Sequence, residues 1–450
     1  MSKKEGSLEA PTRHAVEWKS PAFWDEPGLE KELERVFDIC HGCRRCVSLC
    51  GAFPKLFDLV DGSSSGELDT VPKERYADVV EQCYLCDVCF MTKCPYVPPH
   101  AWDLDFPHLM LRAKAVAFRK TGGAWRDRVL SSTDRLGSFA GIPIVTQAVN
   151  AVNQSKAGRA FTERVLGVDR AAWRPDYART RFRQEAQARL DAPVRDGERT
   201  PGKVAVFATC YVNYNEPGIG DDLLKILGHN EIPYMLVEQE ACCGMPKLEL
   251  GDLSGVERLK ERNVPPLARL ARDGYAILAA IPSCTLMFAK ELPLLFPDDA
   301  DVQAVAQAMW DPFEYLVARD KDGLLKREFP RPLGAVAYHV PCHSRVQNVG
   351  RKTEEVLRWI PQTQVTTVER CSGHAGTWGV KKPFHAMAMK IGKPVFRAMA
   401  QAQPDYISSD CQLAGHHIEQ GMGQLGDAAP AKAPQLAHPL TLLRTAYGLE

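Results

Sequence analysis

Hydrophobic positions recur with a helical period near the start of the chain and with a different rhythm in its second half. Residues 28–39 place Leu29, Leu33, Val36 and Phe37 on one face, and this spacing predicts an amphipathic helix. A helical period returns beyond Pro99 and continues to about residue 190, with breaks predicted at Gly122–Gly123, Pro143 and Pro175. The turn-rich segment 191–203 has the composition of a linker.

Short apolar runs alternate with helical stretches from residue 203 onward, and the series occurs twice. Runs that end at Cys210, Cys242 and Cys284 are followed by similar runs that end at Cys342, Cys371 and Cys411, at offsets of 132, 129 and 127 residues. Alternating strands and helices predict parallel sheets with helical crossovers. We therefore predict two copies of one α/β unit, at 203–298 and 333–425.

Each of these cysteines follows a predicted strand. Because parallel strands deliver their carboxyl ends to one edge of a sheet, the cysteines of one unit are expected to converge there. The alternative is a set of small buried hydrophobic residues, which unpaired cysteines often are.

Two further cysteine motifs precede the repeats. The first, Cys40 to Cys50, has the spacing C-x2-C-x2-C-x3-C, and the second, Cys83 to Cys94, has C-x2-C-x2-C-x4-C and is followed by Pro95. In ferredoxins that hold two [4Fe–4S] clusters, the fourth cysteine of each motif binds the cluster of the other motif. The predicted ligands are Cys40, Cys43, Cys46 and Cys94 for cluster 1, and Cys83, Cys86, Cys89 and Cys50 for cluster 2.

Two details depart from this ferredoxin pattern. Gly51 stands where a proline is usual, and the second motif has one extra residue before Cys94. Pro95 predicts that a helix begins just after the last ligand. Structural zinc is the alternative, but zinc sites prefer four ligands from two C-x2-C pairs rather than two runs of four cysteines.

Composition is consistent with metal in a reducing compartment. The chain has 450 residues, of which 45% are hydrophobic and 25% charged, which is typical of a soluble globular protein. Its 15 cysteines are an odd number, so they cannot all pair in disulfides. The first 20 residues lack the apolar core of a signal peptide, and no apolar stretch of 18 residues occurs. We therefore expect a cytoplasmic location.

The formal net charge is +0, but the middle of the chain is basic. Residues 111–203 carry 19 basic and 9 acidic side chains, a local net of +10. This excess predicts either a solvated helical surface or a docking face for an acidic partner or an anionic membrane. At most, contact with the cytoplasmic membrane face is peripheral. Nucleic acid is not expected, because no recognition motif accompanies the charge.

The sequence Cys242-Cys243-Gly244, with Cys210 before it and Cys284 after it, resembles the cysteine-rich CCG domain. That domain occurs in heterodisulfide reductase, in the iron–sulfur subunit of glycolate oxidase and in the C subunit of anaerobic glycerol-3-phosphate dehydrogenase. In those families a two-cluster ferredoxin domain precedes two CCG units, which is the order found in this chain. The resemblance covers most of residues 35–425 and includes the segment CYLCDVCFMTKCPYVPPH.

The resemblance implies a mixed fold in five parts. These are a helical ferredoxin-type domain with two [4Fe–4S] clusters (1–110), a basic helical linker (111–200), the two CCG units with parallel sheets (203–298 and 333–425) and a tail (426–450).

The two units depart from the family pattern to different degrees. Both lack the final cysteine of the family's C-x-x-C, since Met287 and Ala414 stand there, and Ser372 replaces one thiol of the second pair. The family's five-cysteine non-cubane cluster is therefore not expected. The first unit keeps Cys210, Cys242, Cys243 and Cys284, which suffice for a cubane cluster or for zinc. The second keeps Cys342, Cys371 and Cys411 and needs a further ligand, for which the candidates are His343, His374 and His416, unless each fills an ordinary structural role.

The expected function is electron transfer within an oxidoreductase complex. No dinucleotide fingerprint, phosphate-binding loop or GxSxG elbow occurs, and nothing indicates a bound flavin. The resemblance implies a flavin dehydrogenase or other redox protein as partner, and a quinone or redox protein as acceptor. The alternative is a self-contained disulfide or quinone reductase with Cys243 or Cys371 as the reactive thiol. A non-catalytic zinc scaffold is the third hypothesis.

Overall fold

The computed structural model describes residues 11–450, apart from the side chains at positions 143 and 144. Residues 1–10 lie outside the described residues. They are the start of the predicted amino-terminal domain and the first half of the 20-residue segment in which no export signal is expected. The described part comprises a helical amino-terminal region, a helical middle and two four-stranded parallel sheets. The expected repetition of an α/β unit is therefore confirmed.

Five α-helices form the amino-terminal region. They are α1 (Glu26–Cys43), α2 (Ala52–Asp61), α3 (Tyr76–Gln82), α4 (Val88–Thr92) and α5 (Phe106–Thr121). Asp25 caps α1, because its carboxylate accepts a hydrogen bond from the backbone N–H of Gly28 at 3.0 Å. The four hydrophobic positions predicted on one face of this helix are all buried, so that prediction is confirmed.

The first two cysteine motifs lie where helices end and begin. Helix α1 ends at Cys43, and Arg44 turns the chain with a left-handed backbone (φ 53°). The second motif crosses α4, whose amino-terminal residue follows Asp87, also left-handed (φ 58°). The helix predicted to begin at Pro95 is absent from the described structure, and the next α-helix starts at Phe106. That prediction was wrong because two more prolines, at 98 and 99, cannot donate helical hydrogen bonds.

The middle of the chain contains α6 (Trp125–Leu130), α7 (Thr133–Ala140), α8 (Pro143–Gln154), α9 (Lys156–Leu166) and α10 (Phe182–Glu185). Gly122 ends α5 in a left-handed conformation (φ 71°), as the predicted break requires. Helix is also predicted to continue to about residue 190, but between Gly167 and residue 190 only the four residues of α10 are α-helical. There the backbone bonds instead to both α/β units, through bridges between Val168 and Lys381 and between Arg189 and Tyr234.

The first α/β unit begins with β1 (Val204–Phe207), α11 (Cys210–Tyr214), α12 (Pro217–His229) and β2 (Tyr234–Leu236). It continues with α13 (Met245–Leu250), α14 (Leu253–Arg272), β3 (Ala276–Ala279) and α15 (Pro282–Leu286). A π-helix (Met287–Glu291), α16 (Leu292–Leu295), α17 (Ala300–Ala308), β4 (Met309–Trp310) and α18 (Pro312–Lys321) follow.

The second unit begins with β5 (Gly334–His339), α19 (Cys342–Arg345), α20 (Lys352–Trp359) and β6 (Thr363–Val368). It continues with α21 (His385–Gln401), β7 (Tyr406–Ser409), α22 (Gln412–Met422), β8 (Gln435–Leu436) and α23 (Pro439–Ala446).

The two sheets have the same topology. Their strand orders are β2-β1-β3-β4 and β6-β5-β7-β8, and the neighbouring strands are parallel. Every residue of β1 and β3 is buried, as expected for central strands covered by helices on both faces. The fourth strands, which the sequence pattern did not predict, have two residues each and lie beyond the predicted ends of the repeats.

The two units pack against each other through several helix pairs, one of which is α18 with α20. Helix α23 of the second unit lies on α12 of the first, where Asp222 contacts Arg444 at 2.6 Å and accepts a hydrogen bond from Thr441 at 2.6 Å. The short helices α15 and α19, which follow the ends of β3 and β5, are also in contact. The contact between α15 and α19 brings the cysteine-bearing edges of the two sheets close to each other.

Candidate metal centres

The first thiol set is the group Cys40, Cys43, Cys46 and Cys94. Cys40 and Cys43 lie in the last turn of α1, Cys46 lies two positions after Arg44, and Cys94 follows α4. Burial raises the pKa of Cys40 well above its usual range, and the charges of the other three members raise it further. The same causes raise the pKa of Cys46 to about 12. The structure thus brings together four thiols that are up to 54 positions apart in the chain.

The second thiol set is Cys50, Cys83, Cys86 and Cys89, and all four line one cavity of about 190 Å³. Burial raises the pKa of Cys89, and the neighbouring thiols Cys83 and Cys50 add to the effect. Cys46 of the first set also raises the pKa of Cys89, so the two sets are adjacent. This close spacing suits the transfer of single electrons between two centres.

The donor chemistry of both sets fits an iron–sulfur cluster. Grouped and buried thiols resist deprotonation, whereas a bound cation stabilises the thiolate form, so a metal relieves the repulsion that raises these pKa values. Soft thiolate ligands select iron–sulfur clusters, zinc or Cu(I). In residues 11–450, no group of three or more His, Cys, Asp or Glu side chains is already arranged around one metal-ion position. The ligand assignments are therefore proposals.

The structure accommodates both departures from the ferredoxin pattern. A Cβ atom at Gly51 would lie 2.7 Å from the Oε1 atom of Gln82, which is the end of a flexible side chain that can move aside, so packing does not demand glycine there. Helix α4 ends at Thr92, and Lys93 leaves the helical conformation before Cys94. The extra residue is therefore accommodated outside the helix.

The first unit brings its four cysteines together. Cys210 begins α11, Cys242 and Cys243 follow β2, and Cys284 lies in α15 after β3. Cys242 accepts hydrogen bonds from Cys210 and Cys243, and these lower its pKa well below the usual range. Cys243 in turn hydrogen-bonds with Cys242 and Cys284, and both contacts raise its pKa. We name these four residues the third thiol set.

The third thiol set also receives a hydroxyl group from the helical middle. The Oγ1 atom of Thr133, in the first turn of α7, lies 3.3 Å from the sulfur of Cys210 and 3.3 Å from that of Cys242. Thr133 was not among the predicted site residues. No local sequence signal indicates it, because it precedes the two cysteines by 77 and 109 positions.

The three cysteines of the second unit are divided between two places. Cys342 and Cys371 line the 190 Å³ cavity of the second thiol set, whereas Cys411 is not among the residues that line it. Cys371 lies 3.2 Å from the hydroxyl of Tyr84, in the second ferredoxin-type motif. Burial raises the pKa of Cys411 to about 11, with a further contribution from the adjacent Asp410.

The three histidines predicted as helper ligands have different surroundings. His343 contacts the hydroxyl of Ser283 through Nδ1 at 2.7 Å, and burial lowers its pKa to about 4. His416 contacts Glu216 through Nε2 at 2.9 Å. Burial lowers its pKa, but the carboxylates of Glu216 and Glu419 together outweigh burial and raise it to about 9. The Nε2 atom of His374 is buried without a hydrogen-bond partner in the described structure.

A buried network of charges joins the amino-terminal region to the first unit. Arg13 contacts Asp87 at 2.7 Å, Asp105 at 2.8 Å and Glu291 at 3.5 Å, and His108 contacts Asp105 at 3.1 Å. Burial raises the pKa of Asp87 to about 6, because Arg13 offsets only part of that cost. Asp87 lies between two cysteines of the second thiol set, and Glu291 ends the π-helix after Cys284. The network therefore ties the two thiol-bearing regions together.

The basic middle exposes large apolar side chains. Phe139 and Phe161 are 63% and 64% exposed, and Trp125 and Ile142 are about half exposed. They stand on or beside the short helices α6 to α9, a stretch that carries six basic and three acidic side chains. Among residues 11–450, no helix is both long and apolar enough to cross a membrane.

Comparison with known families identifies the two repeated units. Residues 204–289 and 336–419 each match the model of the cysteine-rich domain named CCG. Both α/β units are therefore similar to the CCG domain, which confirms the predicted resemblance.

The chain is homologous to components of redox enzymes. It is 28% identical to the C subunit of anaerobic glycerol-3-phosphate dehydrogenase from Escherichia coli K12, over 76% of this chain and 82% of that protein. It is 28% identical to the B subunit of fumarate reductase (CoM/CoB) from Methanothermobacter marburgensis, over 56% of this chain and 48% of that protein. An uncharacterised iron–sulfur protein of Methanocaldococcus jannaschii is 27% identical over 49% of this chain and 42% of that protein. By their names, the first two relatives are subunits of a dehydrogenase and a reductase, and the third is an iron–sulfur protein.

Proposed function

We propose that the protein is the iron–sulfur electron-transfer subunit of an oxidoreductase complex. The first and second thiol sets would each hold one [4Fe–4S] cluster with the crossed ligation described above. When bound, such a cluster accepts and releases one electron at a time. Electrons from a partner dehydrogenase would pass through both clusters to the CCG units and then to a quinone or another redox protein.

The adjacency of the first and second thiol sets carries this proposal. Cys46 in the first set is close enough to Cys89 in the second to help raise its pKa, so two centres held there would be neighbours. The third thiol set offers four more thiols near the contact between the two CCG units, where a further iron–sulfur cluster or zinc would be held. Ser283, beside Cys284, contacts His343, beside Cys342, and this pair connects the third set to the cavity of the second.

The partner is expected to carry the two-electron chemistry. Names of the relatives support a dehydrogenase or reductase complex, and a flavin dehydrogenase suits a chain without its own dinucleotide fingerprint. The basic middle, with its exposed aromatic residues, would form the contact with that partner or with the anionic cytoplasmic face of a membrane. A cytoplasmic or peripheral location follows from this proposal.

Anaerobic purification followed by iron and sulfide analysis tests the function. We expect about eight iron atoms for the first two thiol sets and signals of reduced clusters in electron paramagnetic resonance (EPR) spectra. A Cys40→Ser, Cys83→Ser double variant is the control and should lose both clusters. A colourless protein that contains only zinc would rule the function out.

A self-contained reductase is the second candidate, and one observation favours it. The cavity that contains Cys371 reaches the surface, because exposed Ser48, Glu369 and Arg370 are among the residues that line it. In this case Cys371, or Cys243 in the first unit, would react directly with a disulfide or quinone. Turnover with a reduced dye and such a substrate, without any partner, distinguishes this candidate from the electron-transfer function.

A further inference from the structure

Two cysteines of the second CCG unit line the cavity of the second thiol set. Cys342 and Cys371 stand beside the four thiols from the ferredoxin-type region around a space of about 190 Å³. The sheet places them together: His339 of β5 pairs with Val368 of β6, and each cysteine is the third residue beyond this pair. Adjacent strands lie about 4.8 Å apart, so the two thiols are neighbours.

The six thiols are more than one cluster requires. A [4Fe–4S] cluster takes four cysteine ligands, and the second thiol set supplies four from the ferredoxin-type spacing. Cys342 and Cys371 are then available for another task at the same site. Cys411 lies apart from them, beside Asp410, so the three cysteines do not form a separate centre in the second unit.

Hydrogen bonds connect the spare thiols to a cluster ligand. The Tyr84 hydroxyl lies 3.2 Å from the sulfur of Cys371, and the backbone N–H of Gly373 donates to the same sulfur at 3.4 Å. Cys342 lies within hydrogen-bonding reach of both Cys371 and Cys86, and all three line the cavity of the second thiol set. A cluster-bound thiolate can only accept hydrogen bonds, so with Cys86 as a ligand the thiol of Cys342 would donate to it and that of Cys371 to Cys342.

The position of Cys371 is fixed by close packing of the backbone. Gly373 has a left-handed conformation (φ 81°), and a Cβ atom there would lie 2.0 Å from the carbonyl oxygen of Ala388. Only glycine fits this position, and its N–H is thereby held against the sulfur of Cys371. On the other side, Trp378 packs against Tyr84 with ring centroids 5.3 Å apart.

We propose that Tyr84, Cys371 and Cys342 form a hydrogen-bonded series that ends on Cys86 and sets the reduction potential of the second cluster. This proposal rests on the proposed function, since it assigns Cys86 to that cluster. These three residues do not bind the cluster themselves; they are positioning residues that act on it through the sulfur of Cys86. The second CCG unit thus serves the ferredoxin-type centre and holds no separate metal.

The direction of the effect follows from charge. Reduction adds negative charge to the cluster and its thiolates, and a hydrogen bond to a ligand sulfur stabilises that charge. Loss of the donor series should therefore make reduction less favourable and lower the potential of the second cluster. The first cluster, whose proposed ligands are not among the residues that line the cavity of the second thiol set, should keep its potential.

Redox titration of the anaerobic holoprotein, monitored by EPR, tests the proposal. Tyr84→Phe removes only the hydroxyl, and Cys371→Ala removes the central thiol. We expect both variants to lower the potential of one ferredoxin-type signal while leaving the other signal and the iron content unchanged. Cys371→Ser retains a donor and should give a smaller shift than Cys371→Ala. Cys411→Ala, in the same unit but away from the series, is the matched control and should change neither potential.

Two results would overturn the proposal. Unchanged potentials in both Tyr84→Phe and Cys371→Ala would show that the series has no influence on the cluster. A loss of iron in Cys342→Ser or Cys371→Ala, with both ferredoxin-type signals retained, would show that these cysteines hold a separate metal. A wild-type preparation without any iron would instead refute the proposed function itself, so the two failures are distinguishable.

Discussion

The hydroxyl of Thr133 lies 3.3 Å from the sulfur of Cys242, although 109 positions separate the two residues. The same hydroxyl lies equally close to the sulfur of Cys210. Cys242 corresponds in the repeat to Cys371, which has Tyr84 as its hydroxyl neighbour. In both CCG units, therefore, the equivalent cysteine contacts a hydroxyl group from a region outside the unit.

Thr133→Val should lower the reduction potential of an iron–sulfur centre held by the third thiol set. The valine has nearly the same shape but lacks the donor that stabilises the reduced, more negative state. Potentiometric titration of the signal from this centre is the measurement. Thr133→Ser keeps the hydroxyl and serves as the control, so equal shifts in both variants would contradict the explanation.

The crossed ligation predicts which cluster each fourth cysteine affects. Cys94→Ala should remove the same EPR signal as Cys40→Ala, and Cys50→Ala the same signal as Cys83→Ala. Each variant should lose about four of the eight iron atoms of the two ferredoxin-type sites. If Cys50→Ala instead removed the signal that depends on Cys40, each motif would bind its own cluster.

The buried pair of His108 and Asp105 predicts a loss of stability at alkaline pH. Burial lowers the pKa of His108, but the charge of Asp105 and the hydrogen bonds to Asp105 and Glu291 together outweigh burial and raise this pKa from 6.5 to about 9. A raised pKa means that the stabilisation is complete below pH 6.5 and disappears as pH rises toward 9. The rise corresponds to about 3 kcal/mol.

Thermal unfolding of the wild type and of His108→Gln at several pH values measures this contribution. The variant should be less stable near pH 6, and the difference should shrink as pH rises to 9. A constant difference across this range would mean that the histidine contributes through packing rather than charge. Glu291 contributes the corresponding effect at acid pH. His108 and Arg13 outweigh burial and lower the pKa of Glu291 from 4.5 to about 2, so its stabilisation is lost only as the pH falls below about 4.5.

The exposed aromatic residues of the basic middle should support binding to an anionic surface. We expect Phe139→Ser combined with Phe161→Ser to weaken sedimentation with vesicles that contain anionic lipid, because both insertion and local charge contribute. Trp102→Ser, which changes a 46% exposed residue outside this region, is the control. Raising the salt concentration should also weaken binding. Binding that is indifferent to the double variant and to salt would contradict a membrane role.

Local spacing was sufficient to predict much of the architecture. The helix of residues 28–39 follows from its hydrophobic period, and the repeat of the two α/β units follows from nearly equal offsets between cysteine-terminated strands. Parallel order was also predictable, since each crossover contains a helix. The two-residue strands β4 and β8 were missed because such short segments have no recognisable period.

The amino-acid sequence by itself determined which residues carry the chemistry, because the spacing C-x2-C-x2-C is a local property of the chain. It also grouped Cys210, Cys242, Cys243 and Cys284, since ends of adjacent parallel strands meet at one edge of the sheet. Only the tertiary structure decided that Cys342 and Cys371 face the second thiol set while Cys411 lies elsewhere, and that Tyr84 and Thr133 touch cysteine sulfur. Those contacts depend on how whole regions pack together, and packing between regions leaves no periodic trace along a single chain.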